Sequence, residues 1–371
     1  VSLAAKGYIT VAPDLLGLGD HEGIHPYIHA ASEAWVARDM MRAARQYAAD
    51  NQVFINDQVF LTGYSQGGHS TLALHRMLEE ELPGEFVVTA SAPMSGPYSI
   101  SQVMYNLIVS GSIYDKPGYL INTFISYQAV YGDVYADIAS TFKAPYQPFI
   151  EAFANNEISL SQLDSALLVH LLLNEGMVVP VRVLKDDFVN AVMTQPDHPM
   201  RLAMEQNDVY DWAPLAPTRL MYCTADEEVP YENSTVAEAA MLANGAADVE
   251  AVVISPFLNH FLCALPAAVQ TADFFSEYQL VEEVNLSAGR IPSGELLVCP
   301  NPLTGNRLTL KGIAAAGRLS IADMGGRVVF FHPVSEGNNL LWLPGLPAGV
   351  YSLKVVLPQY TRSQKLVVAS R

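Results

Sequence analysis

Short apolar runs alternate with longer amphipathic stretches through the first hundred residues. Gly7-Tyr8-Ile9-Thr10-Val11-Ala12 reads as a strand that stops at Pro13-Asp14. Glu33 to Ala49 has helical spacing, with Trp35, Val36, Met40 and Ala43 toward one side and Arg38, Asp39 and Arg42 among the polar positions. Val59-Phe60-Leu61-Thr62 is another buried strand, Gly67 to Leu82 a helix stopped by Pro83-Gly84, and Phe86 to Ala90 the next strand. Nearly continuous apolar strands alternating with helices predict a parallel sheet covered on both faces.

After Gly96-Pro97 the rhythm breaks. Ser99 to Trp212 shows long apolar helical patterns and aromatic clusters without a clear strand, so residues 98–212 read as a helical cap inserted into the sheet domain. The α/β rhythm then returns, with strands at Arg219 to Cys223 and Glu250 to Ile254, a helix from Asn233 to Asn244, and a last helix from about Pro266 to Tyr278. This predicts a first domain over residues 1–279 and a polar linker over 280–294. Residues 295–371 carry short apolar runs, several divided by Gly-rich turns, and predict a small β-sandwich.

Composition narrows the function classes. The chain has 371 residues, 50% of them hydrophobic, and a formal net charge of -18. So acidic a chain repels phosphate backbones, which argues against a nucleic-acid partner. With only 16% charged residues it is not a disordered chain. The apolar region Ala166 to Leu184 is broken by His170, Asn174, Glu175, Gly176 and Pro180, so no transmembrane span is expected. The first residue is Val1 and no charged-then-apolar leader follows, so the chain reads as N-terminally truncated.

The chemistry centres on Gly63-Tyr64-Ser65-Gln66-Gly67. A serine hydroxyl is a weak nucleophile and needs a base that is itself oriented by a carboxylate. A G-x-S-x-G elbow between strand and helix exposes the serine oxygen, with Gly63 and Gly67 letting the backbone turn and pack closely. The partners are expected downstream in the order Asp or Glu, then His. Asp226 comes first after the strand ending at Cys223 and is the favoured carboxylate, with Glu227 and Glu228 as competitors. His260 is the only histidine between Asp226 and the β-region and is the candidate base. Gln66 supplies one backbone N–H for the oxyanion; a loop giving the second is not found upstream of Gly7.

Other candidate groups read blandly. His69 is expected to brace the start of the elbow helix, and His332 lies outside the catalytic domain. His21, His25 and His29 are spaced too irregularly for a metal site, and no metal or cofactor is implied. The three cysteines, Cys223, Cys263 and Cys299, fit no zinc pattern. Cys223 and Cys263 read as small buried hydrophobes; a disulfide bracing Asp226 and His260 is the alternative.

Two resemblances follow from these motifs. Up to about Tyr278 the chain resembles the α/β-hydrolase superfamily, closest to its capped, secreted lipase and esterase branch. Gly7 to Asp14 with Gly17-Leu18-Gly19, the elbow with Gly68, Asp211-Trp212-Ala213-Pro214, Ala225 to Pro230 and Asn259-His260 carry that likeness. In that family the first strands and the oxyanion loop precede the segment matching Gly7. From about Glu295 the chain resembles the type A C-terminal sorting domain of the type IX secretion system of Bacteroidetes. Cys299-Pro300-Asn301-Pro302-Leu303, Ile321 to Gly326, Leu346 to Tyr351 and Lys365 to Val368 carry it. The resemblance implies the secretion machinery as a partner of residues 295–371, and a secreted or outer-membrane-surface location in a Gram-negative bacterium; a generic carbohydrate-binding or Ig-like sandwich is the alternative.

The expected activity is hydrolysis of a carboxylic ester, from a small-molecule or lipid substrate, through an acyl-enzyme on Ser65. Met104, Tyr105, Leu107, Ile108, Tyr119, Leu120, Phe124, Tyr127 and Tyr131 would give the cap a surface for an acyl chain or aromatic acid, although most must be packed core. A serine exopeptidase on the same fold is one alternative. An inactive fragment or surface-binding module, without its oxyanion loop, is the other.

Overall fold

A computed structural model describes residues 2–20, 23–51, 53–280, 297–358 and 361–369. Contacts divide the chain into two compact units, Val1–Glu282 and Glu283–Arg371. The 280–294 linker falls almost wholly outside the described residues.

In the first unit, β1 (Val59–Tyr64), β2 (Val88–Met94), β3 (Thr218–Cys223) and β4 (Val249–Ser255) form a parallel sheet in the order β1-β2-β3-β4. Parallel neighbours cannot be joined by hairpins, so helices carry the chain back between them. Helix Gln66–Arg76, extended by a π-helical turn Met77–Glu81, returns β1 to β2, and helix Glu232–Ala243 returns β3 to β4. Alternate strand residues enter two cores. Leu61 and Leu220 pack with Leu72, Leu78 and Ala237, whereas Ala90, Met94 and Met221 pack with Ala267 and Phe275 of the last helix, His260–Ser276. The parallel α/β sheet, its helices and the antiparallel C-terminal unit match the expected fold class.

The expected strand at Gly7 to Ala12 does not form. Residues 8–15 carry no sheet pairing, and Ile9 is 56% exposed. They line a cleft of about 710 Å³ together with residues of β1, the edge strand of the sheet, without pairing to it. An apolar run reports burial preference; a strand also needs a neighbour to satisfy its backbone. The amphipathic helix spans Ala30–Asp50, and its face differs from the expected one: Trp35 is 49% exposed, while Ala34 and its neighbours Ala37 and Met41 meet the core. The last helix also starts earlier than expected, at His260, and continues through Pro266.

The cap lies between β2 and β3. Its main helices are Pro117–Tyr131, Gln147–Ala154, Leu160–Glu175, Asp186–Thr194 and Pro199–Gln206. Leu163, Leu167 and Leu171 repeat every fourth residue along one face and are fully buried against Ile121 and Phe124. Each such leucine contributes about 1.5–3 kcal/mol on burial. A capping box of Ser159 with Gln162 starts helix Leu160–Glu175, and Gly176 ends it at φ 74°. No helix among the described residues is long and apolar enough to cross a membrane.

The second unit has two antiparallel sheets around one apolar core. β5 (Leu297–Cys299), β6 (Arg307–Ile313) and β9 (Gly337–Trp342) form one, in the order β5-β6-β9. β7 (Gly317–Ala322), β8 (Val328–Val334), β10 (Gly349–Val356) and β11 (Thr361–Val368) form the other, in the order β11-β10-β7-β8. Several residues of the motifs noted above knot this unit together. Asn301 Nδ2 donates to Lys365 O at 2.8 Å and its Oδ1 accepts from Val367 N at 2.9 Å, tying the Pro-Asn-Pro turn to the terminal strand. Asp323 Oδ1 accepts from Gly325 and Arg327 N–H in the β7–β8 turn, and the Tyr351 hydroxyl donates to Pro347 O.

Candidate active site

The loops beyond the C-terminal ends of β1, β3 and β4 converge beneath the cap, where sites assemble on open parallel sheets. Beyond β1 the chain turns so sharply that Ser65 takes φ 59°, ψ −121° before helix Gln66–Arg76 begins. That turn needs particular glycines. A Cβ on Gly63 would sit 2.2 Å from Gly67 O, and one on Gly68 would sit 2.7 Å from Met94 O. Gly67, by contrast, has open space at its Cβ position. The crowding expected at Gly63 and Gly67 therefore falls on Gly63 and Gly68. Ser65 N donates to Met94 O at 2.9 Å, anchoring the turn to β2.

Ser65, His260 and Asp226 form one hydrogen-bonded chain. Ser65 Oγ lies 2.9 Å from His260 Nε2, and His260 Nδ1 lies 2.7 Å from Asp226 Oδ2. A carboxylate only accepts, so Nδ1 carries the proton and Nε2 offers its lone pair to the serine hydroxyl. The Asp226 and His260 side chains are 1% and 8% exposed, so little water competes for these bonds. Asp226 Oδ1 accepts from the N–H groups of Glu228 and Val229, which fixes the carboxylate plane.

The competing carboxylates serve elsewhere. Glu227 Oε2 accepts from His260 N at 2.9 Å, at the start of the helix that presents the imidazole. Glu228 joins this loop to the cap: Tyr119 Oη is 3.3 Å from its Oε2, Lys116 Nζ is 3.5 Å from its Oε1, and the Tyr114 hydroxyl donates to its carbonyl. Tyr64 donates to His260 O; burial, reinforced by the charges of Asp226, Glu228 and Glu227, pushes its hydroxyl up to about 12 and keeps the proton there.

Cys223 and Cys263 are bonded, with their Cα atoms 6.1 Å apart. This corrects the favoured reading of two separate buried hydrophobes. The bond between Asp226 and His260 draws the end of β3 to the first turn of helix His260–Ser276, and the two sulfurs, each three residues from a site residue, meet there. Closing a 40-residue separation in this way removes unfolded-chain entropy equivalent to about 4 kcal/mol.

Above Ser65 a cavity of about 110 Å³ opens into the cap. Met104, Tyr105, Ile108, Tyr119, Leu120 and Phe124 line it as expected. Tyr127 is fully buried and donates to Ile28 O, and Tyr131 accepts from Asn207. Both are framework, and Leu107 is not on the wall. Val181, Leu184, Phe188 and Met200 also line it, and these come from short cap segments with no distinctive sequence pattern. Among the described residues Glu228 is the only charged side chain lining this cavity.

The upstream histidines have separate engagements. His25 bonds Leu16 O and Gln66, and His29 caps the helix at Ser32; His21 lies outside the described residues. No group of three or more His, Cys, Asp or Glu among the described residues is placed to hold a metal.

The profile of the alpha/beta hydrolase family matches residues 1–273. Among solved structures, the chain is similar to a hydrolase candidate from Legionella pneumophila, at 28% identity and a TM-score of 0.66 over 76% of this chain and 72% of that one. It is also similar to the rice cell wall degrading esterase LipA from Xanthomonas oryzae, at 28% identity and a TM-score of 0.59 over 72% and 71% of the two chains. Candida antarctica lipase A shares the fold at 18% identity and a TM-score of 0.50, over 69% and 57%. No curated protein matches the sequence.

Proposed function

The chain belongs to the alpha/beta hydrolase family, and on that premise we propose that it hydrolyses carboxylic esters through an acyl-enzyme on Ser65. The observation that carries this is the chain Asp226–His260–Ser65 at the mouth of an apolar cavity. Ser65 Oγ attacks the ester carbonyl while His260 Nε2 takes its proton. Asp226 holds the ring and offsets the imidazolium charge. The carbonyl electrons move onto oxygen, toward the N–H of Gln66, which at the first helical position has no intrahelical carbonyl to reach. Collapse expels the alcohol, protonated by His260. Water then repeats the sequence and releases the acid and Ser65.

The cavity supports an ester over a peptide. An exopeptidase must bind a charged terminus, whereas the one charged group lining the cavity among the described residues, Glu228, is already engaged by Lys116 and Tyr119. The Xanthomonas neighbour, an esterase, points the same way. Purified protein should release p-nitrophenol from acyl esters, with kcat/KM rising about fourfold per added methylene until the cavity is full, from ~0.8 kcal/mol per buried methylene. Faster turnover of aminoacyl-naphthylamides would favour the peptidase reading. Turnover of neither class would favour the inactive or binding module.

We propose further that residues 295–371 address the protein to type IX secretion, and so to the medium or outer surface of a Gram-negative bacterium. The motifs resembling a type A sorting domain support this, and the acidic composition suits an exported protein. In a host with that system, the full chain behind an inner-membrane leader should place esterase outside the outer membrane, and deletion of 295–371 should retain it in the periplasm. Equal export of both forms would refute the assignment.

A further inference from the structure

Behind the elbow lies a carboxylate that the proposed reaction does not use. Glu33, on helix Ala30–Asp50, is 1% exposed. It meets three side chains from the first turn of the elbow helix. Its Oε1 accepts from Gln66 Nε2 at 2.7 Å. Its Oε2 accepts from His69 Nδ1 and from Ser70 Oγ, each at 2.7 Å. The other amide hydrogen of Gln66 faces His25 Nε2 at 2.7 Å, and His25 Nδ1 in turn bonds Leu16 O. Both Gln66 hydrogens are thus committed, which fixes the orientation of its amide.

A bare buried carboxylate here would oppose negative charge developing on a nearby substrate oxygen. His69 removes that conflict. Its Nδ1 faces Glu33 and its Nε2 faces Asn207 O at 2.9 Å, two acceptors, so both nitrogens carry protons and the ring is an imidazolium. Burial opposes that charge, but the Glu33 carboxylate and the Asn207 carbonyl outweigh it and raise the His69 pKa. The pair is neutral overall and its bonds are fully made, which is the condition for holding charge in an interior.

We propose that Glu33 is a positioning residue for the ester hydrolysis proposed above, holding the Gln66 side chain so that the Gln66 peptide N–H keeps its aim at the oxyanion. The inference rests on that reading of Ser65. The donor and the anchored side chain belong to one residue, so freedom in the side chain becomes freedom in the peptide. A donor displaced by about 1 Å can cost about 10²-fold in rate.

The test measures kcat and KM for p-nitrophenyl ester hydrolysis in the full chain, with thermal melting beside them. In Glu33→Leu, Gln66 Nε2 loses its acceptor on the helix, and kcat should fall about 10- to 100-fold while KM stays within about twofold. Gln66→Met keeps the peptide N–H, removes the tether and leaves Glu33 paired with His69; its kcat should fall similarly. The double variant should lose less than the product of the two single losses. A kcat within twofold of wild type in either single variant, or fully multiplicative losses, overturns the proposal. If Glu33→Leu does not fold, Gln66→Met alone decides. A wild-type protein without ester turnover would instead sink the function on which the inference rests.

Discussion

Replacing Asp226 by Asn should lower kcat for ester hydrolysis by about 10⁴-fold while leaving the fold and substrate affinity largely intact. The substitution is nearly isosteric. Its carbonyl oxygen can still accept from the N–H groups of Glu228 and Val229, which bond Asp226 Oδ1 now. The amide NH₂ then faces His260 Nδ1, where the carboxylate oxygen stands at 2.7 Å. A donor there forces Nδ1 to accept, so the ring proton moves to Nε2, and Nε2 confronts the Ser65 hydroxyl with a hydrogen instead of a lone pair. The base is lost by tautomer, without loss of packing. The disulfide beside it keeps the end of β3 and the start of the His260 helix together in the variant. A loss below tenfold would mean that Asp226 does not set the state of His260, and that the ring is held otherwise.

Much of this site was legible because its chemistry constrains the backbone. An exposed nucleophile on a strand–helix turn leaves a glycine signature, and the crowding at Gly63 is the physical reason. Asp226 and His260 were legible from their places after two strands. The roles of Glu227 and Glu228 were not, since adjacent carboxylates in one loop differ only in what the fold brings to each. The pairing of Cys223 with Cys263 depended on whether Asp226 and His260 meet, so the sequence could pose it only conditionally.

Glu33 was invisible for another reason. Helical spacing finds a period, and the face it predicts, Trp35, Val36, Met40 and Ala43, includes two large side chains, Trp35 and Met40. Both are at least 37% exposed. The stripe that meets the core is Ala34, buried, with Ala30, Ala37 and Met41 partly buried, mostly small residues that let this helix approach the elbow helix closely. Glu33 lies beside that stripe and reaches Gln66, His69 and Ser70. The alanine spacing was the available signal. The segment at 7–12 departs in the opposite sense: its apolar run predicts a buried strand, yet Ile9 and Val11 are exposed, because pairing depends on a strand edge that local sequence does not report.

The central claim is that Ser65 is the nucleophile, and covalent capture tests it most directly. A fluorophosphonate reacts only with a serine whose proton is removed by a competent base, and it leaves a stable adduct on that oxygen. Intact-mass analysis of the full chain should show one adduct, and peptide mapping should place it on Ser65. Ser65→Ala should remain unlabelled, with its melting temperature near that of wild type. An adduct that persists in Ser65→Ala, or maps to another residue, would contradict the account.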